Sequence, residues 1–183
     1  MAINQKRLIV SAVILCAIAA TTLTFFGYCK SGVTTVVLVT RHAEKAETPR
    51  DNPTLSTPEG FARAQTLVHV AGQAGVNAIF ATQYLRTQQT VQPLATHLGL
   101  AVTQIADNDV DGLISQILEN HRGETVLVAG HSTTVPLIIQ KLVGGTIMTI
   151  PESQFDNLFV VIIPKRGKKK VVHLKYGVPS PTE

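Results

Sequence analysis

Cysteine is nearly absent from the 183-residue chain. Cys16 and Cys29 are the only two, and both lie in the N-terminal apolar stretch. The rest of the chain therefore has neither a disulfide framework nor a cysteine metal cage. No His-x-His or His-Glu-x-x-His spacing occurs, so the common histidine metal motifs are missing as well. Charged side chains are scarce at 15 % against 45 % hydrophobic residues, which excludes a disordered chain. There is no internal repeat and no low-complexity tract. The length suits one domain with a proper core and is too small for two comfortable ones.

The formal net charge is +4. A mild basic excess fits an anionic substrate or an anionic membrane surface, but only weakly. Much of it sits in Lys165, Arg166, Lys168, Lys169 and Lys170, between two β-like runs. No aromatic residues interleave with these charges. The patch is thus read as a solvated hairpin turn, with no nucleic-acid partner expected.

Lys6 and Arg7 precede an uncharged run from Leu8 to Cys29. As a helix the run would span about 33 Å at ~1.5 Å per residue, enough for the hydrocarbon core of a bilayer. It has no polar face to turn to water. The basic flank on the short side predicts a cytoplasmic N-terminus and a C-terminal domain outside the cytoplasm, at the cell membrane. A signal peptide cut near Ala17-Ile18-Ala19 is the competing reading. The uncleaved signal anchor is preferred, because hydrophobicity continues through Leu23, Phe25 and Phe26. The expected organisation is an N-terminal transmembrane helix with a short linker over residues 1–32, then a domain over residues 33–183.

That domain alternates strand-like and helix-like runs. Thr34–Thr40 (TTVVLVT) is β-branched and mostly apolar, as in a strand buried on both faces. Ser56, Pro58 and Glu59 form a helix start with the spacing of a capping box. The helix stripe after it is Phe61, Ala64, Leu67, Val68 and Ala71. Asn77–Ala81 is a strand. Thr82 is a candidate cap for a helix with stripe Leu85, Val91, Leu94, Ala95 and Leu98, closed by Gly99. Leu100–Ala106 is a strand, Val110–Asn120 a helix, Thr125–Ala129 a buried strand and Ser132–Val143 a helix. Asn157–Pro164 and Val171–Tyr176 pair as a hairpin around Gly167. This alternation predicts a three-layer αβα domain of the α/β class with a mainly parallel sheet.

Two of these strands run directly into a histidine, as Thr40-Arg41-His42-Ala43 and Ala129-Gly130-His131-Ser132. In open parallel sheets ligands bind at the carboxyl ends of strands. Helix N-termini beside those ends favour an anion. Two imidazoles and the Arg41 guanidinium are thereby placed where an anion would sit.

At this point the residues resemble the histidine phosphatase superfamily, the group that includes phosphoglycerate mutases and short phosphohistidine phosphatases. The resemblance rests on four stretches in the family's order. These are Arg41-His42-Ala43, Leu55-Ser56-Thr57-Pro58-Glu59-Gly60 with Arg63-Ala64, Ala81 to Thr90 with Arg86 in register, and Gly130-His131-Ser132. Ala43 departs from the usual glycine. The resemblance implies that His42 is the nucleophile, forming a phosphohistidine that water hydrolyses. It also implies that Arg41 and Arg86 hold the phosphoryl oxygens and that His131 completes the pocket; with no metal-ligand spacing and two arginines that would repel a cation, no metal or cofactor is expected. Such a mechanism needs chiefly position and charge neutralisation, which planar guanidinium groups supply.

The general acid is not legible. Asp107, Asp109 and Asp111 follow the relevant strand, and one of them can equally cap the next helix. Glu44 is also near, and can equally pair with Lys45 or face solvent. His69, His97, His121 and His173 carry no sign of function. The expected activity is a metal-independent phosphatase acting on a phosphomonoester or a phosphoramidate, such as a phosphorylated sugar or phosphohistidine. The alternative is a catalytically weak, membrane-anchored member that binds a phosphorylated ligand.

Overall fold

The structure is a computed structural model and describes residues 34–146 and 148–181. The Leu8–Cys29 segment, with Cys16 and Cys29, lies outside the described residues. No helix among the described residues is long and apolar enough to cross a membrane.

Strand β1 (Thr35–Arg41) leads to helix α1 (Glu59–Ala71), strand β2 (Val76–Thr82) and helix α2 (Leu85–Leu98). Strand β3 (Val102–Ile105), helix α3 (Val110–Asn120), strand β4 (Thr125–Gly130) and helix α4 (Thr134–Val143) follow. Strands β5 (Asn157–Ile163) and β6 (Lys170–Lys175) close the chain. The six strands form one sheet in the order β3-β2-β4-β1-β5-β6. The first four are mutually parallel, and β5 and β6 are added antiparallel. The expected mainly parallel sheet is present.

Alternation along the strands sends side chains to opposite faces. Val37 and Val39 of β1 join Val126 and Val128 of β4 against α3 and α4, through Leu113, Ile117, Ile138 and Leu142. Leu38 joins Leu127 and Ala129 on the other face against Leu67 of α1 and Val91 and Leu94 of α2. Each such side chain stabilises the fold by roughly 1.5–3 kcal/mol through burial. Two apolar layers flanked by helices give the three-layer arrangement predicted from the alternation.

Several local expectations are corrected. Phe61 and Leu85 are exposed rather than part of the core stripes, and on α1 the buried positions include Gly60 and Arg63. Ser56 does not complete a capping box, because Pro58 occupies the N-cap and offers no side-chain bond. The Ser56 hydroxyl instead accepts from the Gly60 N–H at 3.2 Å. Tyr84, not Thr82, stands at the N-cap of α2. Helix α4 begins at Thr134 rather than Ser132, and β3 is shorter than the apolar run around it. Gly99 closes α2 in the left-handed region with φ +67°. The basic run occupies the exposed β5–β6 turn, where Gly167 has φ +100°.

Candidate active site

Strands β1 and β4 are neighbours at the centre of the sheet, with Arg41 opposite Gly130. The His42 N–H continues the ladder, donating to the Gly130 carbonyl at 2.9 Å. His42 and His131 are therefore each one residue beyond a paired strand end, and their ring centroids are 5.4 Å apart. The parallel register alone brings together two histidines 89 positions apart in sequence. Helix α2 begins beside them and supplies Arg86, whose Nη2 lies 3.5 Å from His131 Nδ1. The four candidate residues Arg41, His42, Arg86 and His131 form one cluster at the carboxyl end of the sheet, where ligands of such folds bind.

Hydrogen bonds fix the protonation pattern of both rings. His42 Nδ1 lies 2.7 Å from the Ala43 carbonyl, which can only accept. Nδ1 thus carries the proton and Nε2 keeps its lone pair. The Thr87 hydroxyl donates to the Tyr84 carbonyl at 2.8 Å. The Thr82 hydroxyl, 2.8 Å from that of Thr87, then donates to it. Thr82 in turn accepts from His131 Nε2 at 2.9 Å, which leaves the His131 Nδ1 lone pair facing Arg86. Thr82, expected as a helix cap, therefore orients the second histidine. Burial, with the positive charges of Arg41 and Arg86 behind it, pushes His42 down to about 3. Burial and Arg86 push His131 down to about 4. Both rings are neutral near pH 7.

Arg41 is 1 % exposed and held from several sides. Its Nη1 donates to the carbonyls of Pro151, Glu152 and Gln154 at 3.0, 2.8 and 3.2 Å. Its Nη2 donates to Glu152 Oε2 at 2.6 Å, and the guanidinium lies over the Phe155 ring at 4.3 Å. Arg86 lies over the Tyr84 ring at the same distance. Among the described residues, two buried side-chain polar atoms lack a hydrogen-bond partner. They are Nε of Arg41 and Nε of Arg86. Leaving a buried charged donor unsatisfied costs upwards of about 1–3 kcal/mol, so each of the two invites an acceptor.

No protein-family model matches the chain, and no curated protein matches it by sequence. Solved structures do match. The protein histidine phosphatase SixA, solved with tungstate, superposes with a TM-score of 0.62 at 22 % identity, covering 76 % of this chain and 96 % of that one. An Agrobacterium tumefaciens protein proposed to be a phosphohistidine phosphatase gives 0.60 at 19 % identity, covering 79 % and 98 %. Mycobacterial glucosyl-3-phosphoglycerate phosphatase gives 0.59 at 10 % identity, covering 75 % and 97 %. The fold is that of the histidine phosphatases.

Within this histidine phosphatase fold the carboxylates expected near the site go to different places. Glu44 pairs with Arg63, not Lys45: Arg63 Nη2 lies 2.5 Å from Oε1, and Nε lies 3.0 and 2.9 Å from the two oxygens. Asp109 caps α3 by accepting from the Gly112 N–H at 2.9 Å. Asp111 pairs with Lys141 at 2.7 Å on the surface. Asp107 accepts from Gln83 Nε2 at 2.9 Å, and its charge reaches both Arg86 and His131. Sequence reasoning missed Glu152 and Phe155, which reach Arg41 from the segment between α4 and β5. Nothing in the local sequence there marks a site. His121 pairs with Glu124 at 2.9 Å, and His173 faces Asn157 Oδ1 at 2.8 Å, both away from the cluster.

Proposed function

We propose that the domain is a metal-independent phosphatase that works through a phosphohistidine on His42. The observation that carries this reading is the pair of unpartnered Nε donors of Arg41 and Arg86 beside a neutral histidine with a free Nε2 lone pair. A phosphoryl group held by both guanidinium groups meets that lone pair. As the Nε2–P bond forms, the bond from phosphorus to the leaving oxygen or nitrogen breaks, and the leaving group takes the electron pair. Water then attacks phosphorus, the P–Nε2 bond breaks, and inorganic phosphate and a proton leave. The His42–Ala43 hydrogen bond holds the ring in the required tautomer throughout. Two arginines at the site would repel a divalent cation, which favours a mechanism without one.

The similarity to SixA and to glucosyl-3-phosphoglycerate phosphatase suggests two substrate classes, protein phosphohistidine and phosphorylated sugars. The commitment of Glu44 and Asp109 to other partners favours the phosphoramidate, whose imidazole leaves without much help from an acid. Asp107 favours the monoester, since it is the carboxylate after β3 whose charge reaches the site. The apolar Leu8–Cys29 run with its basic flank favours a domain outside the cytoplasm, where phosphorylated sugars or nutrients would be within reach.

The test is a substrate panel on the full chain, comparing a phosphohistidine peptide with sugar phosphates and p-nitrophenyl phosphate. Turnover should survive EDTA and be inhibited by vanadate. Asp107→Asn should slow a monoester with a poor leaving group and spare the phosphoramidate if Asp107 is the acid. Activity that vanishes with chelator and returns with a divalent ion overturns the mechanism. Tight phosphate binding without turnover on any substrate would leave the phospholigand-binding reading in its place.

A further inference from the structure

We propose that Glu152 is an anionic occupant of the phosphate pocket, which an incoming phosphoryl group must displace from Arg41 and Ser132. This rests on the reading of the site as a phosphate pocket and goes beyond it to what sets its affinity. Glu152 bridges two groups at the strand ends: Oε1 accepts from the Ser132 hydroxyl and Oε2 from Arg41 Nη2. Ser132 directly follows His131, and Arg41 directly precedes His42. The carboxylate thus spans the mouth between the two histidine-bearing strand ends. Its charge also acts on Arg86 and His131.

The geometry of the guanidinium separates holding Arg41 from blocking it. The three carbonyls of Pro151, Glu152 and Gln154 all take Nη1, and Phe155 covers the plane. These contacts suffice to fix Arg41, and the Glu152 side chain is not needed for them. The other edge of the guanidinium is the Nε/Nη2 pair, the fork that accepts two oxygens of one anion. On that edge Nε has no partner and Nη2 is taken by Glu152. The carboxylate therefore engages one of the two nitrogens of the fork that a phosphoryl group would use. Its side chain is 74 % exposed, so it can swing into water at little cost in packing. The Ser132 hydrogen bond and Arg41 hold its carboxyl below the usual carboxylate range. It is an anion at neutral pH, unsuited to donate a proton to a leaving group.

An anion that must leave before phosphate enters weakens ground-state binding of every phosphate species, the product included. That limits product inhibition in a pocket with two arginines. Interactions that bind ground state and product alike do not raise turnover. Glu152 discounts just those interactions.

The experiment is calorimetric titration of inorganic phosphate into the full chain in detergent, for wild type, Glu152→Gln, Glu152→Ala and Arg86→Ala. Both Glu152 variants should bind phosphate more tightly, on the order of tenfold, as expected for removing one charge beside a partly solvated anion site. KM for p-nitrophenyl phosphate and the inhibition constant of phosphate should fall with it. Unchanged affinity means that the carboxylate never meets the phosphate and overturns the proposal. Weaker binding with lost turnover, rescued by Glu152→Asp, makes Glu152 a positioning residue and overturns it as well. These two failures leave the pocket itself standing, provided Arg86→Ala abolishes phosphate binding. If the wild type and every variant fail to bind phosphate, the pocket reading falls together with the proposal.

Discussion

His42 illustrates how little covalent machinery the site needs. Its side-chain hydrogen bond, from Nδ1 to the neighbouring carbonyl, decides that Nε2 keeps the lone pair. Burial decides that the ring stays neutral. The ring should therefore not gain a proton until the pH falls towards about 3, where an exposed histidine titrates near 6.5. Histidine ring NMR on the free protein checks this, and a His42 midpoint near 6.5 would contradict it. The linkage has a definite sign. The unfolded chain binds protons on His42 and His131 below about 6.5, while the folded rings resist until about 3 and about 4. The stability from keeping both rings neutral is thus fully present above about pH 6.5 and is lost as the pH falls through about 4 for His131 and about 3 for His42. Arg86 contributes at the same scale. Arg86→Ala should slow phosphoenzyme formation on the order of 10²–10³-fold, the usual cost of one preorganised donor at a transition state. Rapid-quench measurement of labelled protein reads this directly, and a change under about threefold would remove Arg86 from the phosphate pocket.

Between elements, the site depends on how the segment after His42 packs onto α1. The Gly60 position has no room for a side chain: an added Cβ would lie 2.2 Å from the Glu44 carbonyl oxygen and 3.0 Å from Leu55 Cβ. The obstacle is backbone and cannot rotate away. Gly60→Ala should destabilise the domain by about 1–3 kcal/mol, measured by urea unfolding, whereas a neutral effect would mean that α1 can slide off this contact. The glycine ends the stretch Leu55 to Gly60, so one of the motifs that resembles the histidine phosphatases marks a close approach rather than a chemical group. The same scale shows where periodicity reads correctly. The β1 and β4 runs and the α3 stripe follow from burial on one or two faces, which hydrophobic spacing records. Phe61 and Leu85 are misread because the buried side of each first turn is taken by a non-apolar residue, Gly60 in α1 and Thr87 in α2. Arg63 takes a buried α1 position through Glu44 and the carbonyls of Tyr176 and Val178, partners that spacing cannot register.

At the scale of the whole molecule, the four residues read as the site from the sequence come together because the central register sets both histidines side by side. The two strand ends were legible for that reason. Glu152 and Phe155 were not, since they reach Arg41 from 111 and 114 positions away along a segment without regular structure. The proposed placement outside the cytoplasm rests on the basic flank and apolar run ahead of the domain. A periplasm-active reporter fused after Glu183 should be active, and carbonate washing should leave the protein in the membrane. An active cytoplasmic reporter would reverse the orientation, and a soluble mature form beginning near Ala20 would replace the anchor with a signal peptide. Trapping the phosphoenzyme tests the proposed chemistry at its first step. Labelled substrate should leave an acid-labile, base-stable phosphoryl group on His42, and His42→Ala should abolish both label and turnover. Full turnover in His42→Ala, or an acid-stable label on another residue, would contradict it.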